Sequence, residues 1–273
     1  MKILFIFSGI AQGGSNISAL EFIKELIKNK IEIKIVLHKI GALSNLLDKN
    51  NIKYEVLNKD HFDSSLSIIS NSIIIIKIIL FGIRYLRFNK DYIIHFNEYR
   101  ISFTWIIPLL LSKNLFILHA RSIYFKSFLL NLICNRSNKI IAISNYVMNS
   151  FPKKFTKKIK KINNPILIPQ PHIEKIKFLK KFNLSETSKI IIFISNFKKN
   201  KRPLFFVDIV SKLSEIRNDC QFLMFGHYSD KFEYKLLKKI NSYQLRSKLR
   251  YFKFNENVND LLYHSDILIL PGI

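Results

Sequence analysis

From Lys2 onward, short runs rich in Ile, Val and Phe alternate with longer stretches of helical periodicity. Strands that read as nearly continuous apolar runs are buried on both faces, and helices between them supply the cover, so the pattern specifies parallel βαβ units in a doubly wound α/β fold. In the first half the expected strands are Lys2 to Phe7, Glu32 to Leu37, Lys53 to Leu57, Tyr92 to His95, Leu115 to Leu118 and Lys139 to Ile143. Helices are expected to start near Asn16, Leu43, Leu66, Ile101, Tyr124 and Asn145. Together these make one Rossmann-like sheet.

The rhythm breaks between Phe151 and Ser188, where Pro152, Pro165, Pro169 and Pro171 stand among clustered lysines. Proline fixes φ and removes a donor, so this stretch reads as an extended connection. A second alternation follows. Strands are expected at Lys189 to Ile194, Cys220 to Phe225, Leu249 to Phe252 and Asp266 to Leu270, with helices over Arg202 to Arg217, Lys231 to Ile240 and Val258 to His264. The expected organisation is therefore a domain over 1–155, a linker over 156–188 and a second Rossmann-like domain over 189–273. In open α/β sheets ligands sit beyond the carboxyl ends of the strands. The chain ends just after a strand, at Pro271, Gly272 and Ile273, so the second domain is expected to be incomplete.

A length of 273 residues accommodates two cores, and 48% hydrophobic with 13% aromatic residues excludes a disordered, charge-dominated chain. The net charge of +25 suits anionic partners: a nucleotide-sugar, a lipid diphosphate, an anionic bilayer or a nucleic acid. A/T-rich coding, which favours Ile, Lys and Asn together, accounts for the same lysines without any partner. Nucleic acid is not expected, because no helix-turn-helix, zinc finger or RNA-binding aromatic motif is visible. Cys134 and Cys220 stand far apart with no metal-ligand spacing, which fits a reducing cytoplasm and neither a disulfide framework nor a zinc site. The apolar run Ile3 to Phe7 is too short for a signal-peptide core. Two further apolar stretches, Ile73 to Ile83 and Ile101 to Leu111, fall short of the roughly 20 residues that span a bilayer. Ser70 to Asn89, with Lys77, Arg84 and Arg87 in an apolar body, reads as a buried crossover helix; an interfacial membrane helix is the alternative.

Four places carry candidate chemistry. The loop Ser8 to Ser15, SGIAQGGS, opens a helix whose apolar positions include Ala19, Leu20, Phe22, Ile23, Leu26 and Ile27. There Gly13 and Gly14 would let backbone approach a phosphate or acceptor, although a tight turn explains a glycine pair equally well. His95 and Asn97, then His119 and Arg121, follow two neighbouring strands and are expected to face one crevice. A histidine there suits proton transfer or hydrogen bonding, and an arginine suits a phosphate or carboxylate; satisfied polar residues at strand ends are the plainer reading. Ser195 to Pro203, SNFKKNKRP, places Lys198, Lys199, Lys201 and Arg202 at a helix entrance, either as a diphosphate cradle or as a solvated basic loop. Gly226 beside His227 marks a second close-approach turn.

The order of these pieces resembles the retaining GT-B glycosyltransferases of family 4: GGSNISALEFIKEL, IIHFNEY, FILHARS, NKIIAISNYV, NNPILIPQP, ISNFKKNKRP, FLMFGHYS and LRYFKFNENVNDLLYHSDILILP. The resemblance implies a GT-B fold and transfer of a sugar from a nucleotide-sugar to a glycan or lipid-linked acceptor in cell-surface polysaccharide or glycolipid assembly. It implies no cofactor and no bound metal, and leaves an anionic inner-membrane surface open as a further partner. By resemblance His119 takes the place of the active-site histidine, and Lys201 that of the diphosphate-binding lysine, with Arg202 and Gly226 beside it. Asn196 stands where the family has an arginine. Gly13, Gly14, Asn97 and Arg121 fall on the acceptor and phosphate side. The family's pair of donor-binding glutamates would lie beyond Ile273, so the chain is expected to be a truncated and impaired enzyme; a noncatalytic nucleotide-sugar- or membrane-binding partner of another transferase is the alternative.

Overall fold

The computed structural model describes residues 1–10, 13–63, 65–165, 168, 170–254 and 257–272. The chain forms two compact units, Met1–Ile166 and Leu167–Ile273.

In the first unit the elements run β1 (Lys2–Phe7), α1 (Gly14–Lys28), β2 (Glu32–Leu37), α2 (Ala42–Lys49), β3 (Glu55–Val56), α3 (Ile68–Phe88) and β4 (Ile93–Phe96). After these come α4 (Tyr99–Thr104), α5 (Ile106–Leu111), β5 (Phe116–Ala120), α6 (Phe128–Arg136), β6 (Lys139–Ala142), α7 (Asn145–Asn149) and β7 (Ile159–Lys161). The strands make one parallel sheet in the order β3-β2-β1-β4-β5-β6-β7. The order reverses between β1 and β4, and the loops leaving those two strands flank the crevice where an open sheet binds ligands.

The alternation of side chains along β1 shows why its sequence is apolar from Ile3 to Phe7. Leu4 and Ile6 join a core with Phe96, Trp105 and Phe116, whereas Ile3, Phe5 and Phe7 join a separate core with Ala19, Leu20 and Ile23 of α1. The helix expected from Ile101 is two helices, α4 and α5, broken at Trp105. Pro108 could neither donate to the carbonyl of Thr104 nor lie clear of it in one continuous helix, so the ladder restarts. α6 begins at Phe128, later than its expected start near Tyr124. Ile159–Lys161, inside the stretch read as a connection, pairs with β6 as the edge strand β7.

The second unit runs α8 (Lys175–Lys181), β8 (Lys189–Ile194), α9 (Pro203–Ile216), β9 (Cys220–Gly226), α10 (Asp230–Ser242), β10 (Leu249–Lys253), α11 (Val258–His264) and β11 (Ile267–Leu268). Its parallel sheet has the order β10-β9-β8-β11, with the reversal between β8 and β11. Here too the strands feed two cores: Ile191 and Phe193 meet Phe206 and Val210 of α9, and Ile190 and Ile192 meet Phe178 of α8 and Leu261 of α11. Buried Asp260 accepts the amides of His172 (2.5 Å) and Ile173 (3.3 Å), tying the incoming chain to α11.

The reading of Ser70 to Asn89 as a buried helix needs correction. α3 does cross over between β3 and β4, but only Asn71, Ile78, Gly82 and Leu86 are buried. Its 21 residues meet the length and composition expected of a membrane span, with 22% of the apolar window buried. Close packing accounts for the inner face: a Cβ at Gly82 would lie 2.5 Å from Cγ of Pro108 in α5.

Candidate active site

Both strand-order reversals carry candidate residues. In the first unit, Asn97 leaves β4 beside the loop that leaves β1, and its Nδ2 donates to the carbonyl of Ser15 (3.2 Å). Arg121, just past β5, grips Asn97 Oδ1 through Nε (3.0 Å) and Nη2 (2.7 Å). Its Nη1 reaches Ser18 Oγ (2.9 Å) and Asn164 Oδ1 (2.5 Å). Arg121 therefore spends its fork inside the protein, joining α1, the end of β4 and the segment after β7. Ser18 and Asn164 had no signal in the sequence, since each lies far along the chain from Arg121.

His95 and His119 sit within β4 and β5 rather than after them. Their rings meet edge to face at 5.5 Å, with Phe5 and Phe22 against His95 at 4.5 and 5.9 Å. Both are buried, and none of the four ring nitrogens has a hydrogen-bond partner. Burial, then the charge of Arg121, pushes His95 down to about 3. Burial, then Arg121 and His95, pushes His119 down to about 2. Both imidazoles are thus neutral at physiological pH, and a ring N–H can be offered to an oxygen. The chain closes their nitrogens off from solvent, so a ligand meets them only after a local rearrangement.

Gly13 and Gly14 differ from the other glycines of the site. A Cβ at Gly13 would meet only Ser15 Oγ at 3.9 Å, and one at Gly14 would meet nothing within 4 Å. The fold does not demand glycine at either position, and the space in front of them is open. Ala11 and Gln12 of the same loop lie outside the described residues.

In the second unit, the loop after β8 and the end of the chain after β11 enclose a cavity of about 300 Å³ lined by Ile194, Ser195, Lys201, Leu270 and Gly272. It stands at the reversal between β8 and β11, on the carboxyl edge of the sheet. Lys199–Lys201 form a single 3-10 turn, and Arg202 takes a left-handed conformation (φ 51°) before Pro203 opens α9. The amides of Phe205 and Phe206 turn back onto the Arg202 carbonyl at 3.0 and 3.2 Å, so side-chain cations, more than helix amides, carry the positive charge here. Lys198, Lys199 and Lys201 are exposed, while the Arg202 guanidinium lies over the Phe205 ring at 4.2 Å. Asn196 is exposed beside them; Phe197, between, is buried and stacks on Tyr228.

Gly226 permits a close approach, but to the protein's own chain: a Cβ there would fall 1.9 Å from the Ser195 carbonyl oxygen and 2.5 Å from the Phe197 ring. It sets the shape of the basic loop from behind. A larger hollow of about 540 Å³, lined by His172, Lys175, Tyr263, His264 and Asp266 among others, lies at the amino-terminal edge of the same sheet, away from the strand ends where ligands bind.

Residues 174–273 match the profile of the family described as glycosyl transferases group 1. The chain has the GT-B fold, and the match to the group 1 family covers nearly all of its second unit. Among solved structures, a glycosyltransferase from Rickettsia africae is similar over 100% of this chain and 73% of its own, with a TM-score of 0.80 and 20% identity. HepE of Anabaena, solved with UDP and glucose, is similar over 100% of this chain and 74% of its own, with a TM-score of 0.76 and 16% identity. TarM of S. aureus, solved as a point mutant with fondaparinux, α-GlcNAc-glycerol and UDP, is similar over 99% of this chain and 81% of its own, with a TM-score of 0.69 and 11% identity. No curated protein matches the chain. The cavity between β8 and β11, and with it Lys201, lies within the matched residues.

Proposed function

We propose that this protein transfers a sugar from a nucleotide-sugar to a hydroxyl of a glycan or lipid-linked acceptor in cell-surface polysaccharide or glycolipid assembly. The observation that carries the reading is the cavity at the strand-order reversal of the second unit, with Lys201 in its wall and Lys198 and Lys199 on the same loop. In such a transfer the bond between the anomeric carbon and the donor's diphosphate oxygen breaks as one forms to the acceptor oxygen, the hydroxyl proton passes to the departing diphosphate, and that diphosphate carries negative charge as it leaves. Preorganised cations stabilise charge that develops in the transition state, and this is the work assigned to Lys201. The solution of HepE with UDP and glucose, and of TarM with UDP, supports a uridine nucleotide as the first donor to try.

In the first unit, the open space before Gly13 and Gly14 is the place for the acceptor or a phosphate group. Neutral His119 is suited to hydrogen bonding a hydroxyl and ill suited to acting as a strong base. Asn97 and Arg121 hold the glycine loop in position.

The test is release of UDP from a panel of UDP-sugars by the full chain, with lipid-linked and free glycan acceptors. One donor is expected to turn over. Lys201→Ala should lower kcat/KM by on the order of a hundredfold, the size of effect seen when one charge-stabilising donor is lost. His119→Ala should lower kcat with the fold retained. Activity undiminished in both variants would sink the site assignment.

A further inference from the structure

α3 is apolar on the side that the fold leaves bare. Ile78, Gly82 and Leu86 recur at helical spacing on the inner face, against α5. Ile69, Ile73, Ile76 and Leu80 recur on the outer one, and Ile69, Ile76 and Leu80 are 74%, 65% and 83% exposed. The same outer stripe continues into Arg84 and Arg87, with Lys77 alongside, all exposed. From Ile68 to Lys90 there is no acidic residue. At the carboxyl end of the helix, Asn114 Nδ2 donates to the Asn89 carbonyl (2.8 Å), which brings the end of α5 alongside. There Phe88, Leu111 and Leu115 are 80%, 62% and 53% exposed, beside exposed Lys90 and Lys113.

We propose that this outer face of α3 docks on a bilayer surface containing anionic phospholipid. An apolar stripe roughly 17 Å long on a helix of about 30 Å, flanked by cations that can reach back to phosphates, is what an interfacial helix presents. Charge decides between occupants. A second copy seated on this face would set two chains of net charge +25 against each other, whereas an anionic leaflet neutralises Lys77, Arg84 and Arg87. The proposal concerns a surface and holds whether or not the chain transfers sugar.

Co-sedimentation of the full chain with vesicles tests it, comparing phosphatidylcholine alone with phosphatidylcholine containing phosphatidylglycerol, at about 0.15 M salt. The expected result is partition onto the anionic vesicles. Ile69→Ser/Ile76→Ser/Leu80→Ser should weaken it at least about tenfold, since each exchange removes apolar area from the contact. Arg84→Gln/Arg87→Gln should weaken it by roughly fivefold per cation. All five positions are exposed, so thermal melts of the variants should match the parent. Triple-variant binding equal to that of the parent would overturn the proposal, showing adsorption by the basic surface at large. So would an absence of vesicle binding together with a concentration-dependent dimer that the triple variant abolishes, because the occupant would then be a second copy.

Discussion

Between pH 7 and pH 5 the first unit should lose as much as about 6 kcal/mol of stability, enough to unfold many domains of its size. Three buried histidines cause the loss. Burial pushes His38 down to about 4, His95 to about 3 and His119 to about 2. Each binds its proton more weakly folded than unfolded, so the unfolded chain takes up more protons once the pH falls below about 6.5. Stability is full above that value and falls as pH drops toward the folded values, by roughly 2 kcal/mol per histidine at pH 5.

Geometry supports the direction at His38 independently. Its Nδ1 faces the carbonyls of Lys59 and Asp60 at 3.1 Å, and its Nε2 accepts from the indole Nε1 of Trp105 at 2.9 Å. A second proton would sit on Nε2, against that indole N–H. Carboxylates contribute little in this window: Asp219, held down to about 2 by Arg217, changes its contribution only below about pH 4. Glu98, whose pKa burial raises, works the other way as a single group. All three histidines belong to the first unit, so acid should unfold it ahead of the second. Thermal melts at pH 7, 6 and 5 check this, and His95→Asn should flatten the dependence. A first transition that stays put over that range would contradict the assignment.

The second large effect is expected at Arg121. Arg121→Met should cost the first unit roughly 3 to 4 kcal/mol, because Asn97 Oδ1, Ser18 Oγ and Asn164 Oδ1 all lose their donor and the first two are buried. Removing a half-buried charge returns part of that cost, since burial already drags the Arg121 pKa down to about 10. Arg121→Lys should recover only part, as one ammonium cannot reproduce a planar fork. The melting temperature of the first unit is the readout, with a fall of very roughly 10 °C expected for Met. A change within a degree would mean that the network holds nothing.

Most strands were legible because a strand covered on both faces must be apolar at every position, as Ile3 to Phe7 and Ile190 to Phe193 are. β7 was not, because Ile159–Lys161 is an edge strand whose two lysines are exposed. α8 lay hidden among the lysines around Phe178 and Leu179, which alone are buried there. Composition made α3 apolar but could not say which side the fold would cover. At the candidate site, residue types pointed to the basic loop of Lys198, Lys199, Lys201 and Arg202, and the family resemblance to Lys201 within it. Strand ends pointed to a shared crevice for Asn97 and Arg121, but not to the hydrogen bonds that tie those two together. Strand order, a tertiary property, was needed to bring Lys201 and Ser195 to the same reversal as Leu270 and Gly272. Nor could spacing reveal that Gly226 yields to Ser195 rather than to a ligand.

The most direct test of the central claim is calorimetric titration of the full chain with UDP at pH 7.0, in parallel with Lys201→Ala. The proposed site predicts saturable binding that the variant weakens by about tenfold, the loss of one charge-assisted contact, with its melting temperature unchanged. Absence of binding to UDP and to other nucleoside diphosphates, or equal affinity in the two proteins, would contradict it.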